Sequence, residues 1–385
     1  MKQLIRITTV PLSLDKLLEG QLRWMGNHFQ VTAISSDAGY LKRIGEREGV
    51  ATHVLEMTRK ITPFRDVWAV FQLTLYLLKN KPDLVHTHTP KAGIIGMLAA
   101  KLAGVPLRLH TVAGLPLMEA GGWKRKLLDF VEQLTYACAT GVYPNSKGLE
   151  AFIVANRYTK KEKVKVIAHG STNGINTTYF NPEHYSLLQK QAIRNDLGIQ
   201  ENDFVFVFVG RLVGDKGINE LVEAFTQLPT PHSKLLLVGP YETELDPLHP
   251  TTLAAIETHP HIISVGFQAD VRPYYALSDC LVFPSYREGF PNVVLQAGAM
   301  GLPSIVTDIN GCNEIITEGI NGTIIPPKDS AALQQAMTKM VADAVWRCSL
   351  QQNARTSITS RYEQEVVWEA LLAEYQRLLA ISGTT

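Results

Sequence analysis

Short apolar runs rich in β-branched and aromatic residues alternate along the chain with longer segments of helical periodicity. The series opens with a predicted strand at 4–9, a helix at 14–25 and a strand at 30–35. This alternation is typical of βαβ units, in which helices cover a parallel sheet. Further strands are predicted at 51–55, 84–87, 107–112, 140–144 and 163–168, which together indicate a first domain at 1–176.

A second series of the same kind follows a charged, strand-free stretch at 183–202. Its predicted elements are a strand at 204–209, a helix at 218–228 and strands at 234–238, 261–265, 279–283 and 303–307. They indicate a second doubly wound α/β domain at 177–361. Ligands of such sheets bind beyond the carboxyl ends of the strands, and a cleft between two such domains is the expected site.

The last segment, 362–385, is predicted to form a helix with a single apolar stripe. Its apolar residues fall at positions 366, 367, 370, 371, 375, 378 and 379. A stripe of this kind has to be covered by another surface. The sequence does not decide between two such surfaces, because the helix could pack on the second domain or cross back to the first.

Composition narrows the class of protein. The chain has 385 residues, of which 45% are hydrophobic and 19% charged, and its formal net charge is +1. These values are typical of a globular protein and argue against a disordered or fibrous one. A near-neutral balance gives no support for a nucleic-acid partner.

Cysteine usage and hydropathy indicate the compartment. The cysteines occur singly, without a C-x-x-C pair, which argues against a disulfide framework or a zinc site; they are Cys138, Cys280, Cys312 and Cys348. The first residues lack the sustained apolar region of a signal peptide. The best apolar run, 92–109, is broken by Lys101 and Arg108. We expect a cytoplasmic protein without a membrane span.

The segment 284–301, PSYREGFPNVVLQAGAMG, carries the strongest candidate site. It follows the predicted strand at 279–283 and leads into a helix that begins near Pro291 and ends at Gly301. Glu288 lies on the loop, and Gln296 follows eight positions later. The free N–H groups of the first helical turn favour an anion. The loop and the helix start therefore predict a polar, anion-binding pocket.

The segment 210–217, GRLVGDKG, follows the apolar strand FVFVFV directly. Arg211 offers a planar fork for phosphate oxygens and Lys216 a mobile point charge, a combination that suits a diphosphate. The spacing matches neither a P-loop nor G-x-G-x-x-G, which disfavours a nicotinamide cofactor. Alone, such charges are more often solvated loop residues, but their predicted place beside 284–301 favours a ligand.

Together these segments resemble the retaining glycosyltransferases of family 4, which have the GT-B fold. The resemblance covers nearly the whole second domain and extends more weakly through the first. The matching residues in the second domain are Gly210-Arg211, Lys216-Gly217, Val265-Gly266-Phe267, Asp270-Val271, Tyr274-Tyr275, Pro284-Ser285, Glu288-Gly289-Phe290-Pro291, Gly301-Leu302-Pro303 and Asn321-Gly322. Those in the first domain are 84–88 (LVHTH), 108–114 (RLHTVAG) and Asn173-Gly174-Ile175.

The resemblance implies a site and a fold. It implies two Rossmann-like domains facing a central cleft, with Arg211 and Lys216 holding the diphosphate of a nucleotide sugar. Glu288 would face the donor sugar, and His110 would be the active-site histidine of the first domain. The implied donor-binding residues also include Gly266 and Phe267 beside the base, Gly289, Phe290, Pro291, Asn292 and Val293 at the loop and helix start, and Gln296 at the ribose.

Gln296 departs from the family, in which a second glutamate normally stands at this position of an E-x7-E pattern. Exchange of a charged for a neutral hydrogen bond costs on the order of 1 kcal/mol, so donor binding should be weaker without being lost. No D-x-D pair occurs in the chain, so Arg211, Lys216 and the helix start would stabilise the diphosphate without a metal or another cofactor.

The resemblance implies a front-face transfer from a UDP-sugar to a glycan, with a polyprenyl-diphosphate-linked saccharide as the expected acceptor. One alternative is a sugar-nucleotide epimerase or hydrolase of the same fold. Another is a non-catalytic partner that binds nucleotide sugars, with Gln296 as a sign of decay. The presence of His110, Glu288, Arg211 and Lys216 argues against such a loss of catalytic activity.

Two further features bear on the acceptor. His88 and Lys91 follow the predicted strand at 84–87, and Thr111 lies near the end of the strand at 107–112. They would suit an anionic acceptor, although ordinary loop polarity is equally consistent and a metal site is disfavoured. An apolar stripe, Phe64, Trp68, Phe71, Leu75 and Leu78, lies near Arg59, Lys60 and Arg65, and 123–126 (WKRK) adjoins another helix. We favour a stripe that faces the core. Peripheral contact with an anionic membrane at the inner face of the cytoplasmic membrane is the alternative.

Overall fold

The computed structural model describes residues 1–115, 121–242, 244 and 246–382. They form two compact units, one of residues 1–174 with 365–385 and one of residues 175–364. Each unit contains a six-stranded parallel sheet covered by helices. The alternation of strand and helix patterns along the sequence had predicted this α/β architecture, and the structure confirms it.

The first unit has the strand order β3-β2-β1-β4-β5-β6. Its strands are β1 Gln3–Ile7, β2 Gln30–Ser35, β3 Ala51–Val54, β4 Leu84–His88, β5 Leu107–Val112 and β6 Gly141–Pro144. Its helices are α1 Pro11–Leu17, α2 Gln21–Gly26, α3 Ala38–Glu48, α4 Pro63–Asn80, α5 Pro90–Leu102, α6 Gly122–Cys138 and α7 Lys147–Ala155. Prolines fit the starts of α1, α4 and α5, because the first turn of a helix has no use for their missing N–H.

Two predictions for this unit were wrong. The helix expected at 14–25 is two helices, because Gly20 adopts a left-handed φ of 76° and starts α2. The strand expected at 163–168 is absent among the described strands. Residues 161–163 form a 3₁₀ turn, and Val164 makes only an isolated bridge to Val142.

The second unit has the strand order β12-β11-β10-β7-β8-β9. Its strands are β7 Phe204–Val209, β8 Ser233–Val238, β9 Ile262–Ser264, β10 Cys280–Phe283, β11 Ser304–Thr307 and β12 Gly322–Ile325. Its helices are α8 Leu187–Asp196, α9 Ile218–Thr226, α10 Pro250–Thr258, α11 Arg272–Leu277, α12 Asn292–Ala299, α13 Cys312–Ile315, α14 Ser330–Ala342 and α15 Ala344–Tyr362. β7 pairs with β10, so the segments that follow these two strands are neighbours at one edge of the sheet.

The last helix, α16 Gln364–Ser382, packs within the first unit. Leu371 and Tyr375 are buried in its core, and the Tyr375 hydroxyl lies 3.0 Å from Nη1 of Arg6 on β1. Trp368 Nε1 donates to Asn173 Oδ1 at 2.7 Å. Of the two surfaces that the sequence allowed, the helix therefore covers that of the first unit.

The predicted apolar stripe of α4 does not face the core, although the sequence favoured that orientation. Phe64, Trp68 and Phe71 are all exposed. The side that faces the core carries Ala69, Leu73 and Leu77, which are buried. The helix thus has two apolar sides, and periodicity alone could not tell which of them covers the sheet.

Glu374 on α16 ties the helix to the sheet through charge. Its carboxylate accepts a hydrogen bond from Tyr143 at 3.1 Å and pairs with Lys165 at 2.7 Å and Arg377 at 2.8 Å. Burial alone would raise the pKa of Glu374, but Arg377 and Lys165 outweigh it and lower the pKa to about 2. A carboxyl whose pKa falls on folding stabilises the native state at pH values above the pKa that the group has in the unfolded chain. That stability is lost as the pH falls through the pKa of the folded state.

Glu374→Gln is expected to destabilise the protein at neutral pH by on the order of 2 kcal/mol, a figure discounted for the exposure of Lys165 and Arg377. The difference from wild type should shrink as the pH falls from about 4.5 towards about 2, where the native carboxyl becomes protonated. Denaturant midpoints at a series of pH values measure it. Glu369→Gln, at an exposed position of the same helix, is the control; a difference that does not change with pH would contradict the charge argument.

Candidate functional site

The loop after β7 carries the two predicted phosphate-binding cations. The Arg211 side chain is partly exposed, and its Nη1 lies 2.6 Å from Oε2 of Glu242, a residue that follows β8. Sequence reasoning missed Glu242, whose only signal was its position after the neighbouring strand. The structure therefore places Arg211 at the predicted edge of the sheet, where a carboxylate is its present partner.

Lys216 and Glu288 join the loops of two neighbouring strands. Lys216 Nζ lies 2.6 Å from Glu288 Oε1, and Ser285 Oγ donates to the same oxygen at 3.2 Å. Both charged side chains are mostly buried but remain in contact with solvent. The pairing of β7 with β10 brings them together, so the structure places these two predicted site residues in direct contact.

The backbones of the two loops also touch. Gly217 has a φ of 70°, and a Cβ at this position would lie 2.1 Å from the carbonyl oxygen of Pro284. Tyr286 N donates to Asp215 O at 2.9 Å across the same junction. Only glycine combines this φ with this approach, which explains the glycine after Lys216.

A third loop, which follows β11, contacts residues 288–291, and sequence reasoning missed it. Asn310 Nδ2 lies 2.6 Å from the carbonyl oxygen of Gly289 and 3.2 Å from that of Glu288. A Cβ on Gly311 would lie 2.7 Å from Gly289 O, and φ at Gly311 is 78°. The N-G dipeptide after β11 was a turn signal, but nothing in the sequence connected it with residues 288–291.

Helix α12 begins at Asn292, immediately after this loop. No described side chain caps its first turn, so the N–H groups of Asn292 and Val293 lie at an open helix start. Phe290 and Pro291 are buried and anchor the turn. The predicted helix start is thus one residue from the observed one.

Gln296 lies one turn further along α12 and is partly exposed. The buried hydroxyl of Tyr275, whose pKa is raised by burial, lies 3.3 Å from Gln296 Oε1. A tyrosine in this state donates, so the carbonyl oxygen of Gln296 is the acceptor. The Gln296 amide group makes no hydrogen bond to a described residue. Gly266 and Phe267 follow β9; Gly266 O accepts from Gly239 N at 2.8 Å, and Phe267 is 72% exposed.

In the first unit, His110 lies inside the layer between the sheet and α5. Its Nδ1 is 2.8 Å from Thr87 Oγ1, and a Cβ on Gly93 would come within 2.5 Å of its Cε1. Burial lowers the pKa of His110 from 6.5 to about 4, so the imidazole is neutral at physiological pH. A catalytic role for His110 stays a prediction, with a neutral ring as its starting state.

Two of the three predicted acceptor residues line one pocket of the first unit. His88 and Thr111 lie there with Asn145 and Ser171. The third, Lys91, pairs with Asp66 at 2.6 Å instead. His88 Nε2 accepts from Arg6 Nε at 3.1 Å, which assigns the proton of a neutral His88 to Nδ1. That Nδ1 and Asn145 Oδ1 have no hydrogen-bond partner among the described residues, and both atoms are buried from solvent. The cavity has a volume of about 20 Å³, which is room for one water molecule and not for a sugar.

Comparison with known proteins shows the family of the chain. Residues 189–357 match the family of glycosyl transferases group 1, and residues 18–170 match the glycosyl transferase 4-like domain. The capsular polysaccharide biosynthesis glycosyltransferase CapM of Staphylococcus aureus is 30% identical over 382 residues, which cover 98% of each chain. The chain belongs to the glycosyl transferases group 1 family.

Other similar proteins extend the comparison of this glycosyltransferase. The UDP-Gal:alpha-D-GlcNAc-diphosphoundecaprenol alpha-1,3-galactosyltransferase of Escherichia coli is 29% identical over 339 residues, 87% of this chain and 85% of that protein. The crystal structure of Anabaena Alr3699/HepE in complex with UDP has a TM-score of 0.79 at 20% identity, covering 98% of this chain and 100% of that one. The structure of WaaG, a glycosyltransferase involved in lipopolysaccharide biosynthesis, has a TM-score of 0.70 at 16% identity, covering 95% and 98%.

These comparisons confirm the predicted family and the GT-B fold of this glycosyltransferase. The roles of Arg211, Lys216, Glu288, Gln296 and His110 stay predictions, now with the contacts described above.

Gln296→Glu in this glycosyltransferase is expected to tighten UDP binding about five- to tenfold. A glutamate can accept from Tyr275 with one oxygen and from a ribose hydroxyl with the other, and hydrogen bonds to charged groups are the stronger ones. Calorimetry at fixed ionic strength measures the change. Gln352→Glu, at an exposed position of α15, controls for added charge; unchanged or weaker binding would remove Gln296 from the ribose contact.

Proposed function

We propose that this glycosyltransferase moves a sugar from a UDP-sugar to a lipid-diphosphate-linked saccharide, with retention of configuration and without a metal. The observation that carries the proposal is the Lys216–Glu288 ion pair, which joins the loops after β7 and β10 beside the open start of α12. The names of similar proteins support the substrates, since one acts from UDP-Gal on a diphosphoundecaprenol-linked sugar and another is crystallised with UDP.

The charged side chains of the site account for the proposed binding of the donor. Arg211 and Lys216 now pair with carboxylates, Glu242 and Glu288. A diphosphate carries more negative charge than either carboxylate and accepts several hydrogen bonds, so it can draw both cations towards it. Glu288, released from Lys216, is then free to accept from hydroxyl groups of the donor sugar. The N–H groups of Asn292 and Val293 add the field of the helix start.

The transfer exchanges one bond to the sugar for another. The bond between C1 and the diphosphate oxygen breaks, and a bond forms between C1 and the acceptor hydroxyl oxygen on the same face of the ring. The acceptor proton passes to the departing diphosphate oxygen. Negative charge develops on that diphosphate in the transition state, and fixed cations aimed at it lower the barrier without needing to reorganise.

The proposed acceptor site belongs to the first unit. His88 and Thr111 border a buried cavity of about 20 Å³, which has room for one water molecule and not for a sugar ring, so the saccharide would bind at the surface outside this cavity. An acceptor with a polyprenyl chain is anchored in a membrane, so the proposal places the enzyme at the inner face of the cytoplasmic membrane. No helix of the described residues is long and apolar enough to span it.

The test is a mass-spectrometric assay with the full chain, a panel of UDP-sugars and a polyprenyl-diphosphate-linked monosaccharide, with and without EDTA. Transfer that EDTA leaves unchanged, giving a product with the donor's anomeric configuration by NMR coupling constants, is the expected result. Consumption of donor without a gain in acceptor mass would instead show an epimerase or hydrolase. Binding of UDP-sugars without turnover would show a non-catalytic partner.

A further inference from the structure

The outer side of α4 is apolar along its whole length. Phe64 is 94% exposed, Trp68 57% and Phe71 51%, and the row continues through the exposed Leu75 and Leu78. Residues three and four apart lie on one side of a helix, and this side is opposite the buried row of Ala69, Leu73 and Leu77. A monomeric protein rarely exposes a contiguous row of this size without a partner for it.

Helix α6 adds a second apolar row to the same layer. Trp123 is 75% exposed and Phe130 61%, and Leu127 lies between them on the same side. Both α4 and α6 pack against α5, so they flank it on one face of the sheet. In chain order α4 comes after β3 and α6 after β5, so both helices begin at the edge where the strands end.

An ion pair fixes the start of α4 at this edge. Asp66 in its first turn pairs with Lys91 in the first turn of α5 at 2.6 Å. His88 and the cavity beside it lie at the end of β4, immediately before α5. The aromatic ends of α4 and α6 therefore lie on the side of the first unit that carries this cavity.

The surroundings of α4 are basic, although the chain as a whole is nearly neutral. Residues 56–81 contain five cationic side chains against two carboxylates, and one of those carboxylates, Asp66, is paired. Arg59 and Lys60 are exposed immediately before the helix, and Lys124 and Lys126 are exposed on α6. The apolar row is thus bordered by positive charge.

We propose that the aromatic face of α4 and α6 binds the surface of an anionic lipid bilayer. In this arrangement the aromatic rings enter the boundary between headgroups and acyl chains, and the surrounding Lys and Arg side chains contact lipid phosphates. A second copy of the chain fits less well, since a two-fold contact would bring the same cations together. The inference rests on exposure and charge, so it stands or falls separately from sugar transfer.

The experiment is co-sedimentation of the full chain with vesicles, without donor or acceptor. We expect binding to phosphatidylcholine vesicles that contain phosphatidylglycerol, little binding to phosphatidylcholine alone, and a loss of binding as salt is raised. The triple substitution Phe64→Ser, Trp68→Ser and Phe71→Ser should weaken the partition about tenfold or more. Arg59→Gln, Lys60→Gln and Arg65→Gln together should also weaken it about tenfold or more.

The matched control removes equally exposed apolar side chains from the second unit. Leu187→Ser, Leu188→Ser and Val345→Ser should leave vesicle binding unchanged, because these side chains lie outside the proposed face. Circular dichroism checks that each variant is folded. Equal binding of the aromatic variant and wild type, or binding that ignores lipid charge, would overturn the proposal. A dimer by light scattering that the aromatic variant dissociates, without vesicle binding, would assign the face to a second copy.

Discussion

Lys216→Ala is expected to lower kcat/KM by about 10²–10³-fold, the usual effect of removing one group that stabilises developing charge. Lys216 is one of the two cations in the loop after β7, and its removal also leaves Glu288 without its counter-charge. An uncompensated carboxylate at this position repels the donor diphosphate. The substitution should therefore weaken donor binding as well as slow the chemical step.

The effect on folding should be small by comparison. Glu288 keeps the hydrogen bond from Ser285 and its contact with solvent, so it is not stranded in an apolar interior. Steady-state kinetics with the transfer assay, together with a thermal midpoint, separates the two effects. Arg287→Ala is the matched control, because it removes a 2.8 Å ion pair with Asp215 between the same two loops.

Arg211→Ala should follow the same pattern. Its guanidinium is partly exposed and pairs with Glu242 on the surface, an interaction that contributes little to stability. A large loss of turnover with an unchanged melting midpoint is the expected result for both cations. If either variant retained full activity, that residue would lose its role at the diphosphate.

The sequence was enough to predict this edge of the second sheet because the signals are local. β7 and β10 are continuous apolar runs, and each ends at a glycine or proline. The carboxyl ends of parallel strands meet at one edge, so Arg211, Lys216 and Glu288 could be assigned to it before any contact was known. The ion pair between Lys216 and Glu288 was not predicted, since it depends on the order β10-β7 in the sheet.

Contacts between distant segments escaped prediction for the same reason. Arg6 on β1 is fully buried, with hydrogen bonds to His88, Tyr375 and Gln21 and no described carboxylate partner. Burial lowers its pKa, but an arginine stays protonated in proteins. Tyr375 lies 369 positions away, so no local pattern could connect the two residues. Glu242 and Asn310 were missed likewise.

Element prediction failed where the pattern was ambiguous. β12 begins at Gly322 and is only four residues long, which weakens its strand signal. The run 163–168 looks like a strand, but only Val164 bridges to the sheet. Helix α4 has apolar residues on both sides, and burial of one of them had to be read from the packed structure. These failures concern which surface an apolar residue meets, which is a property of the tertiary fold.

Gly217→Ala is expected to destabilise the protein by about 3–5 kcal/mol and to remove most of the transfer activity. A left-handed φ costs an alanine about 1–2 kcal/mol, and the new Cβ would lie 2.1 Å from the carbonyl oxygen of Pro284. This oxygen belongs to the backbone, so the clash cannot be relieved by a rotamer change. The loops after β7 and β10 would have to move apart, and with them Lys216 and Glu288.

Gly198→Ala is the control that separates the two costs. Gly198 has a φ of 67°, close to the 70° of Gly217, but no described heavy atom lies within 4 Å of the position of its Cβ. The Gly198→Ala variant should therefore lose only about 1–2 kcal/mol of unfolding free energy, because of the left-handed conformation, and keep its activity. Denaturant midpoints and kcat/KM of both variants measure the difference. Equal stability and equal activity would show that the contact between Gly217 and Pro284 does not hold the donor site together, whereas a larger loss at Gly217 identifies the junction of the two loops as the element that fixes Lys216 against Glu288.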